Sequence, residues 1–209
     1  MNKRQKFYLF WKRLFDILLS LIAIIVLSFP MLIVAIAIKI DSRGPVLFKQ
    51  NRVGKNKKIF KIWKFRSMYI DTDPNAPTHQ LGNANSHITK VGKFIRKTSI
   101  DELPQLFNIL SGKMSIIGPR PALWNQYDLI EERDKYNANS IRPGLSGLAQ
   151  VSGRDELAIA VKAKFDGEYV RTLSLWLDIK LIFMTIFKVF KHDGVVEGKQ
   201  ESNKEEITN

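Results

Sequence analysis

Cysteine is absent from this 209-residue chain. That excludes disulfides, thiol nucleophiles and cysteine-based zinc sites. Histidine is scarce: His79, His87 and His192 are scattered and form no metal-ligand pair. Acid is in short supply as well, with 20 Asp plus Glu against 33 Lys plus Arg and a formal net charge of +13. Such an excess favours anionic partners: nucleic acid, an acidic membrane face or phosphorylated substrates. The hydrophobic fraction of 45% is too low for a multi-spanning transporter. No internal repeat or low-complexity stretch suggests a second domain, and the length suits one domain with a real core.

One long hydrophobic run does occur. Residues 17–38 carry no charge over 22 positions, about 33 Å as a straight helix, enough for a bilayer core of roughly 30 Å. A signal peptide has a shorter apolar region followed by a small-residue cleavage site, whereas this run leads into Lys39, Asp41 and Arg43. Both flanks are basic: Lys3, Arg4, Lys6, Lys12 and Arg13 before it, and Lys39, Arg43, Lys49, Arg52 and Lys55 among those after it. Positive charge prefers the cytoplasmic side, so a simple span would strand one cluster. A helix that enters the membrane, bends and leaves by the same face strands neither. Pro30 removes a backbone donor near the middle, and Ser28 two residues earlier offers a hydroxyl to a freed carbonyl. The re-entrant reading is therefore preferred to a single span.

Beyond the turn at residues 41–45, residues 46–50 read as a short strand and 59–68 as its hairpin partner. Residues 71–86, with Pro74, Pro77 and Gly82, read as a loop able to cover a site. Helical patterns fall at about 91–97, 102–110, 122–137 and 158–169. Residues 174–190 form an apolar, aromatic stretch broken by Asp178, Lys180 and Lys188. It suits an amphipathic interfacial helix and a core helix equally. The tail from 192 to 209 is polar and reads as disordered. The expected organisation is a basic N-terminus and membrane helix over 1–40, a catalytic domain over 41–191 and the tail; the expected fold class is α+β, mostly helical.

The densest chemistry lies between residues 89 and 121. Ser99 with Glu102 three positions on is a capping-box pattern, acid in a first turn suits the helix dipole, and Pro104 also suits a first turn. The same geometry serves phosphoryl transfer. A carboxylate at a helix N-terminus is held ionised by backbone donors and is available as a nucleophile, in a place that also attracts phosphate. Asp101 is the candidate. Phosphoryl transfer needs cations around the equatorial oxygens and usually a divalent metal. Arg96, Lys97 and Arg120 offer charge, the last from the rigid turn Gly118-Pro119-Arg120-Pro121. Adjacent carboxylates offer oxygen ligands to Mg2+. A planar guanidinium can bind phosphate through two donors. A second cluster, residues 141–154, holds Arg142, Gly144, Gly147, Gly153 and Arg154. It reads either as a loop with its backbone close to a ligand or as an ordinary turn.

These pieces together resemble the bacterial sugar transferases, the monotopic polyprenyl-phosphate phosphoglycosyl transferases, and in size their small, capsule-type members. The resemblance runs from Lys12 to about Phe190. It rests on Lys12-Arg13-Leu14-Phe15-Asp16, Gly44-Pro45-Val46-Leu47-Phe48-Lys49-Gln50, Lys64-Phe65-Arg66-Ser67-Met68 and Ile88-Thr89-Lys90-Val91-Gly92, then Asp101-Glu102, Gly118 to Pro121 and the 142–154 loop, in the family's order. It implies a re-entrant membrane helix kinked at Ser28 and Pro30, interfacial amphipathic helices, and a catalytic domain on the cytoplasmic face of the bacterial inner membrane. It implies that Asp101 attacks the β-phosphorus of a UDP-sugar and expels UMP. The phosphosugar then passes from Asp101 to polyprenyl phosphate, typically undecaprenyl phosphate. The product opens assembly of a capsule, O-antigen, exopolysaccharide or glycoprotein glycan, with downstream glycosyltransferases as further partners.

The resemblance further implies Mg2+ beside the nucleophile, held by Asp101 and Glu102, with Glu102 in metal or proton handling. Phosphate contacts fall to Arg66, Arg96, Arg120, Arg142 and Arg154. Two departures stand out: Phe29 separates Ser28 from Pro30, and Asn85-Ser86-His87 replaces an Asp-x-Arg stretch. The segment from Pro121 to Ile130 is similar to members acting on N-acetylated 6-deoxy-hexoses. The rival readings are a non-catalytic basic scaffold on a membrane surface and, more weakly, a nucleic-acid binder, for which no recognised motif is present.

Overall fold

A computed structural model describes residues 2–72, 84–153 and 157–191. Most of the expected loop at 71–86, Arg154 and the tail from 192 onward lie outside the described residues.

The apolar run lies inside one helix, α1 (Lys3–Asp41), 39 residues long, or about 58 Å. It starts earlier than the hydropathy implies because Asn2 and Gln5 form a capping box. The most apolar 18-residue window has a mean hydropathy of 3.0 and only 11% of it is buried within the protein. A soluble core helix would be mostly covered, so this surface calls for lipid. Pro30 sits within the helix, and the Ser28 hydroxyl donates to the Ile25 carbonyl at 2.7 Å. That is one residue short of Val26, whose carbonyl the proline leaves without its i+4 donor.

The expected hairpin is present: β1 (Leu47–Val53) pairs antiparallel with β2 (Ile59–Phe65), with Leu47 opposite Phe65 and Val53 opposite Ile59. Next come α2 (Lys90–Lys97), a 3-10 turn (Ile100–Glu102) and α3 (Gln105–Leu110). A second small sheet was not foreseen. In it β3 (Ser115–Ile117) runs parallel to β4 (Gly144–Ser146), with α4 (Tyr127–Asp134) in the crossover. α5 (Leu148–Ser152), α6 (Ile159–Arg171) and α7 (Leu175–Lys191) complete a mostly helical α+β fold.

The helix expected over 122–137 shrinks to α4. Its first residues are taken by β1: Val53 N–H donates to the Ala122 carbonyl, and Arg52 bridges to Leu123. The single helix expected over 102–110 is broken as well. Ser99 adopts a left-handed φ of 57° and makes no side-chain cap bond, so the capping box is not formed there. Ser99 follows the C-cap of α2 directly, and the chain reverses at this point instead of starting a new extended-to-helix junction.

α1 packs along the domain for most of its length. Ala23, Ile24 and Leu27 sit against Ile62, Leu106, Ile109 and Met114. Met31, Val34 and Ala35 sit against Phe65 and Ile95. Near its start, Gln5 donates to the Val170 carbonyl, and Arg13 donates to the Ile109 and Leu110 carbonyls at the end of α3. Near its finish, Asp41 accepts from Val91 N–H at the start of α2. α7 serves both readings offered for it. Asp178 and Leu181 are buried, whereas Trp176, Phe183 and Phe187 on the other side are 76%, 68% and 62% exposed.

Candidate active site

Asp101 and Glu102 stand on the 3-10 turn between α2 and α3. The left-handed Ser99 and the helix-starting Pro104 confine this turn, so the two carboxylates sit on short, constrained backbone. Glu102 does not reach back to cap Ser99. It accepts from Lys64 Nζ at 2.7 Å and lies 3.4 Å from Arg120 Nη2. Lys64 Nζ is also 3.7 Å from Asp101 Oδ2. One ammonium on β2 thus serves both acids. Sequence reasoning missed this role of Lys64: its signal, a basic residue between Trp63 and Phe65, does not set it apart from Lys61 and Arg66 nearby.

Burial pushes the Asp101 carboxyl above its ordinary range. Lys64 opposes this most strongly, Glu102 adds to it, and Arg96 and Arg120 pull it back down. The sequence reading relied on backbone donors to keep Asp101 ionised. The opposing charge instead comes from three side-chain cations on β2, α2 and the turn after β3. A carboxylate in that balance is desolvated, and so more reactive, with three cations favouring its charged form.

The two acids face two different cavities. One, of about 380 Å3, is lined by Asp101 with Lys64, Arg66, Arg96, Gln50 and Arg52 among others, and is rich in cations. The other, of about 650 Å3, is lined by Glu102 and Arg120 at one side. Its remaining walls are largely apolar, from Leu27 of α1, Leu103, Leu145, and Ile182 and Ile186 of α7. α1 and α7, which carry most of the exposed apolar side chains, both contribute to the second cavity and not to the first.

The structure places the remaining sequence candidates as follows. Arg96 lines the cationic cavity, and Arg120 lines the apolar one beside Glu102. Arg66 lines the cationic cavity, but its terminal nitrogens are committed to the chain just past α1: Nη1 donates to the Arg43 carbonyl, and Nη2 to the Ser42 carbonyl and hydroxyl. A two-pronged grip on phosphate, expected from a free guanidinium, is not open to it. Arg142 is not among the residues lining either cavity, and its Nε donates to the Gly112 carbonyl beyond the end of α3. Arg154 lies outside the described residues. Ser28 and Pro30 lie on α1, remote in sequence from the carboxylates and facing away from the core: Ser28 is exposed.

The glycine-rich loop has a different partner from the ligand considered for it. A Cβ on Gly144 would lie 2.2 Å from Gly118 N, and one on Gly147 would lie 2.1 Å from Gly118 O. The close approach is backbone to backbone. Gly118 N–H donates to Ser146 O, and Gly144 N–H donates to Pro119 O. The loop thereby bolts the Gly-Pro-Arg-Pro turn in place and fixes where Arg120 begins.

Among the described residues no cluster of three or more His, Asp or Glu side chains could hold a metal alone. Mg2+ does not need one, because it is commonly held by one or two carboxylates with water and substrate phosphates completing the shell. The Asp101-Glu102 pair fits that donor set.

Comparison with known proteins shows the family. Residues 7–192 match the bacterial sugar transferase family. The chain belongs to that family. It is 44% identical over 185 residues to an undecaprenyl-phosphate glucose phosphotransferase of Komagataeibacter xylinus, covering 84% of this chain and 35% of the relative. It is 42% identical over 187 residues to a UDP-glucose:undecaprenyl-phosphate glucose-1-phosphate transferase of Escherichia coli K12, covering 86% and 40%. An N-acetylgalactosaminephosphotransferase of Aeromonas hydrophila, named for UDP-N-acetylgalactosamine and undecaprenyl phosphate, is 43% identical over 187 residues, covering 86% and 43%. The chain spans about two fifths of the length of these relatives.

Proposed function

We propose that the chain is a phosphoglycosyl transferase that moves a sugar-1-phosphate from a UDP-sugar to undecaprenyl phosphate. The observation that carries this reading is the placement of two adjacent carboxylates between a cationic cavity and an apolar one. A nucleotide sugar is anionic and water-soluble; a polyprenyl phosphate is one phosphate on a long hydrocarbon. The cationic cavity suits the first. The apolar cavity, with Arg120 beside Glu102 and walls from α1 and α7, suits the second.

The steps follow from that arrangement. The donor diphosphate lies among Lys64, Arg96 and Arg66. An Asp101 carboxylate oxygen attacks the β-phosphorus, the bond from that phosphorus to the bridging oxygen breaks, and UMP leaves with the electron pair. The carboxyl now carries the phosphosugar as an acyl-phosphate. A phosphate oxygen of the polyprenyl acceptor then attacks the same phosphorus. Asp101 leaves as a carboxylate, and the product is a polyprenyl-diphosphate sugar. Arg120, anchored through Gly118, Pro119 and β4, holds the acceptor phosphate at the mouth of the apolar cavity. Mg2+ held by Asp101 and Glu102 supplies neutralisation of the charge on the reacting phosphate when it is bound.

The same reading seats the protein in the bacterial inner membrane with α1 re-entrant and the catalytic residues on the cytoplasmic face. Three features support this: the basic flanks on both sides of the apolar run, the uncovered apolar surface of α1 and α7, and bonds from both ends of α1 to one domain. The product would open assembly of a capsule or another surface glycan, passing to downstream glycosyltransferases.

The test is a UMP-release screen with undecaprenyl phosphate and Mg2+. Relatives named for glucose and for N-acetylgalactosamine resemble this chain to a similar degree. The screen therefore spans those donors and the N-acetylated 6-deoxy-hexoses suggested by residues 121–130. Acceptor-dependent UMP release that chelation abolishes is the expected result. Binding to liposomes with no turnover of any donor would favour the scaffold reading instead.

A further inference from the structure

Arg66 is buried, at 5% exposure, and its guanidinium touches two parts of the protein. On one side it holds the end of α1. Nη1 donates to Arg43 O at 2.7 Å, and Nη2 donates to Ser42 O at 2.7 Å and Ser42 Oγ at 2.9 Å. These groups lie where a helix leaves carbonyls without intrahelical donors, and a cation there also complements the helix dipole. Gly44 makes room for it: its φ is +120°, and a Cβ would stand 2.1 Å from Arg66 Nη1.

On the other side, Arg66 lines the cationic cavity with Lys64, Arg96 and Asp101. Its Nε is buried and has no hydrogen-bond partner, so the guanidinium acts on the cavity through its charge, and the bonds to the end of α1 set where that charge stands. The α1 terminus has a second connection to the same cavity, since Asp41 accepts from Val91 N–H at the start of α2, the helix that carries Arg96.

We propose that Arg66 couples the seating of the C-terminal end of α1 to binding of the donor diphosphate: Nη1 and Nη2 hold the helix end, and those bonds fix its positive charge at the cavity wall. This rests on the donor reading of the cationic cavity. Coupling of this kind is reciprocal. Donor binding tightens the hold on residues 38–46, and loosening those residues weakens the donor by the same factor. The cavity is then complete only when the return leg of the membrane helix is docked.

The experiment uses the full chain in phospholipid nanodiscs, with UDP as probe. UDP affinity is measured by calorimetry, and amide exchange over residues 38–46 by mass spectrometry with and without UDP. In the wild type, UDP should slow exchange in that segment. Gly44→Ala, which displaces the guanidinium, should weaken UDP about fivefold or more and abolish the UDP-dependent protection. Ser42→Ala removes one side-chain acceptor without backbone strain, so it folds even if the glycine variant does not. It should produce the same two effects in smaller measure. Variants that loosen residues 38–46 yet bind UDP with wild-type affinity would reduce Arg66 to a helix cap and overturn the coupling. Unchanged exchange in a wild type that binds UDP would overturn it too. A wild type that does not bind UDP at all would bring down the donor reading itself.

Discussion

At the scale of single residues, the site depends on how one ammonium is shared. Burial raises the pKa of the Asp101 carboxyl, and Lys64 is the strongest influence against that. The sign of a Lys64→Gln change follows. Asp101 must be ionised to attack, so kcat/KM rises with pH as its proton leaves. Without Lys64, desolvation and the neighbouring Glu102 act with less opposition, and the Asp101 proton is held to higher pH. The acidic limb of the pH profile should therefore shift upward in Lys64→Gln, while Lys64→Arg, which keeps the charge, should move it much less. A limb that stays in place would detach Lys64 from the ionisation of Asp101. Asp101 and Glu102 stand out in the sequence as two adjacent acids flanked by Arg96, Lys97 and Pro104. Lys64 does not, because its partners lie 37 and 38 positions away and only the fold of β2 against the turn brings them together. The engagement of Arg66 with α1 was hidden for the same reason.

At the scale of elements, the helices and the β1–β2 hairpin were readable because each carries its own period or turn chemistry. The errors fall where a tertiary contact overrode a local pattern. Ser99 and Glu102 have capping-box spacing, yet the acid is drawn to Lys64 and Arg120 and the serine turns left-handed. The start of the expected fourth helix is pulled out to pair with β1. β3 and β4 were missed because three-residue strands show no alternation; their signal was glycine. Gly144 meets the Gly118 backbone too closely to admit a side chain. Gly144→Ala should cost about 1–3 kcal/mol or more, lowering the melting temperature by roughly 2–4 °C for each kcal/mol. Because the same contact sets Arg120, activity should fall further than stability explains. A thermal melt beside a turnover assay checks both, and a variant with wild-type melting and turnover would contradict this packing argument.

At the scale of the whole molecule, the disposition of α1 carries the proposed topology. A helix of about 58 Å is far longer than a bilayer core of roughly 30 Å, yet its first and last turns both bond to the same domain. One domain cannot sit on two sides of a membrane, so both ends should face the cytoplasm. The chain contains no cysteine, so single cysteines placed at Gln5 and Asn56 report without background. Both should react with a membrane-impermeant thiol reagent only in inverted vesicles; reaction from opposite sides would contradict the re-entrant arrangement. The basic flanks of the sequence argue for the same arrangement. The docking of the helix along α3, β2 and α2 was not legible there, since its apolar residues look alike whether they meet lipid or protein.

The central claim is that Asp101 takes the phosphosugar covalently, and it is tested most directly without acceptor. The protein is mixed with a UDP-sugar that supports turnover, in Mg2+ and without undecaprenyl phosphate, then quenched in acid and measured by intact and peptide mass spectrometry. A mass increase equal to one sugar phosphate, located on the peptide containing Asp101, discharged by added undecaprenyl phosphate and absent from Asp101→Asn, is the predicted result. Full turnover with no adduct at any time, or an adduct that persists in Asp101→Asn, would contradict it.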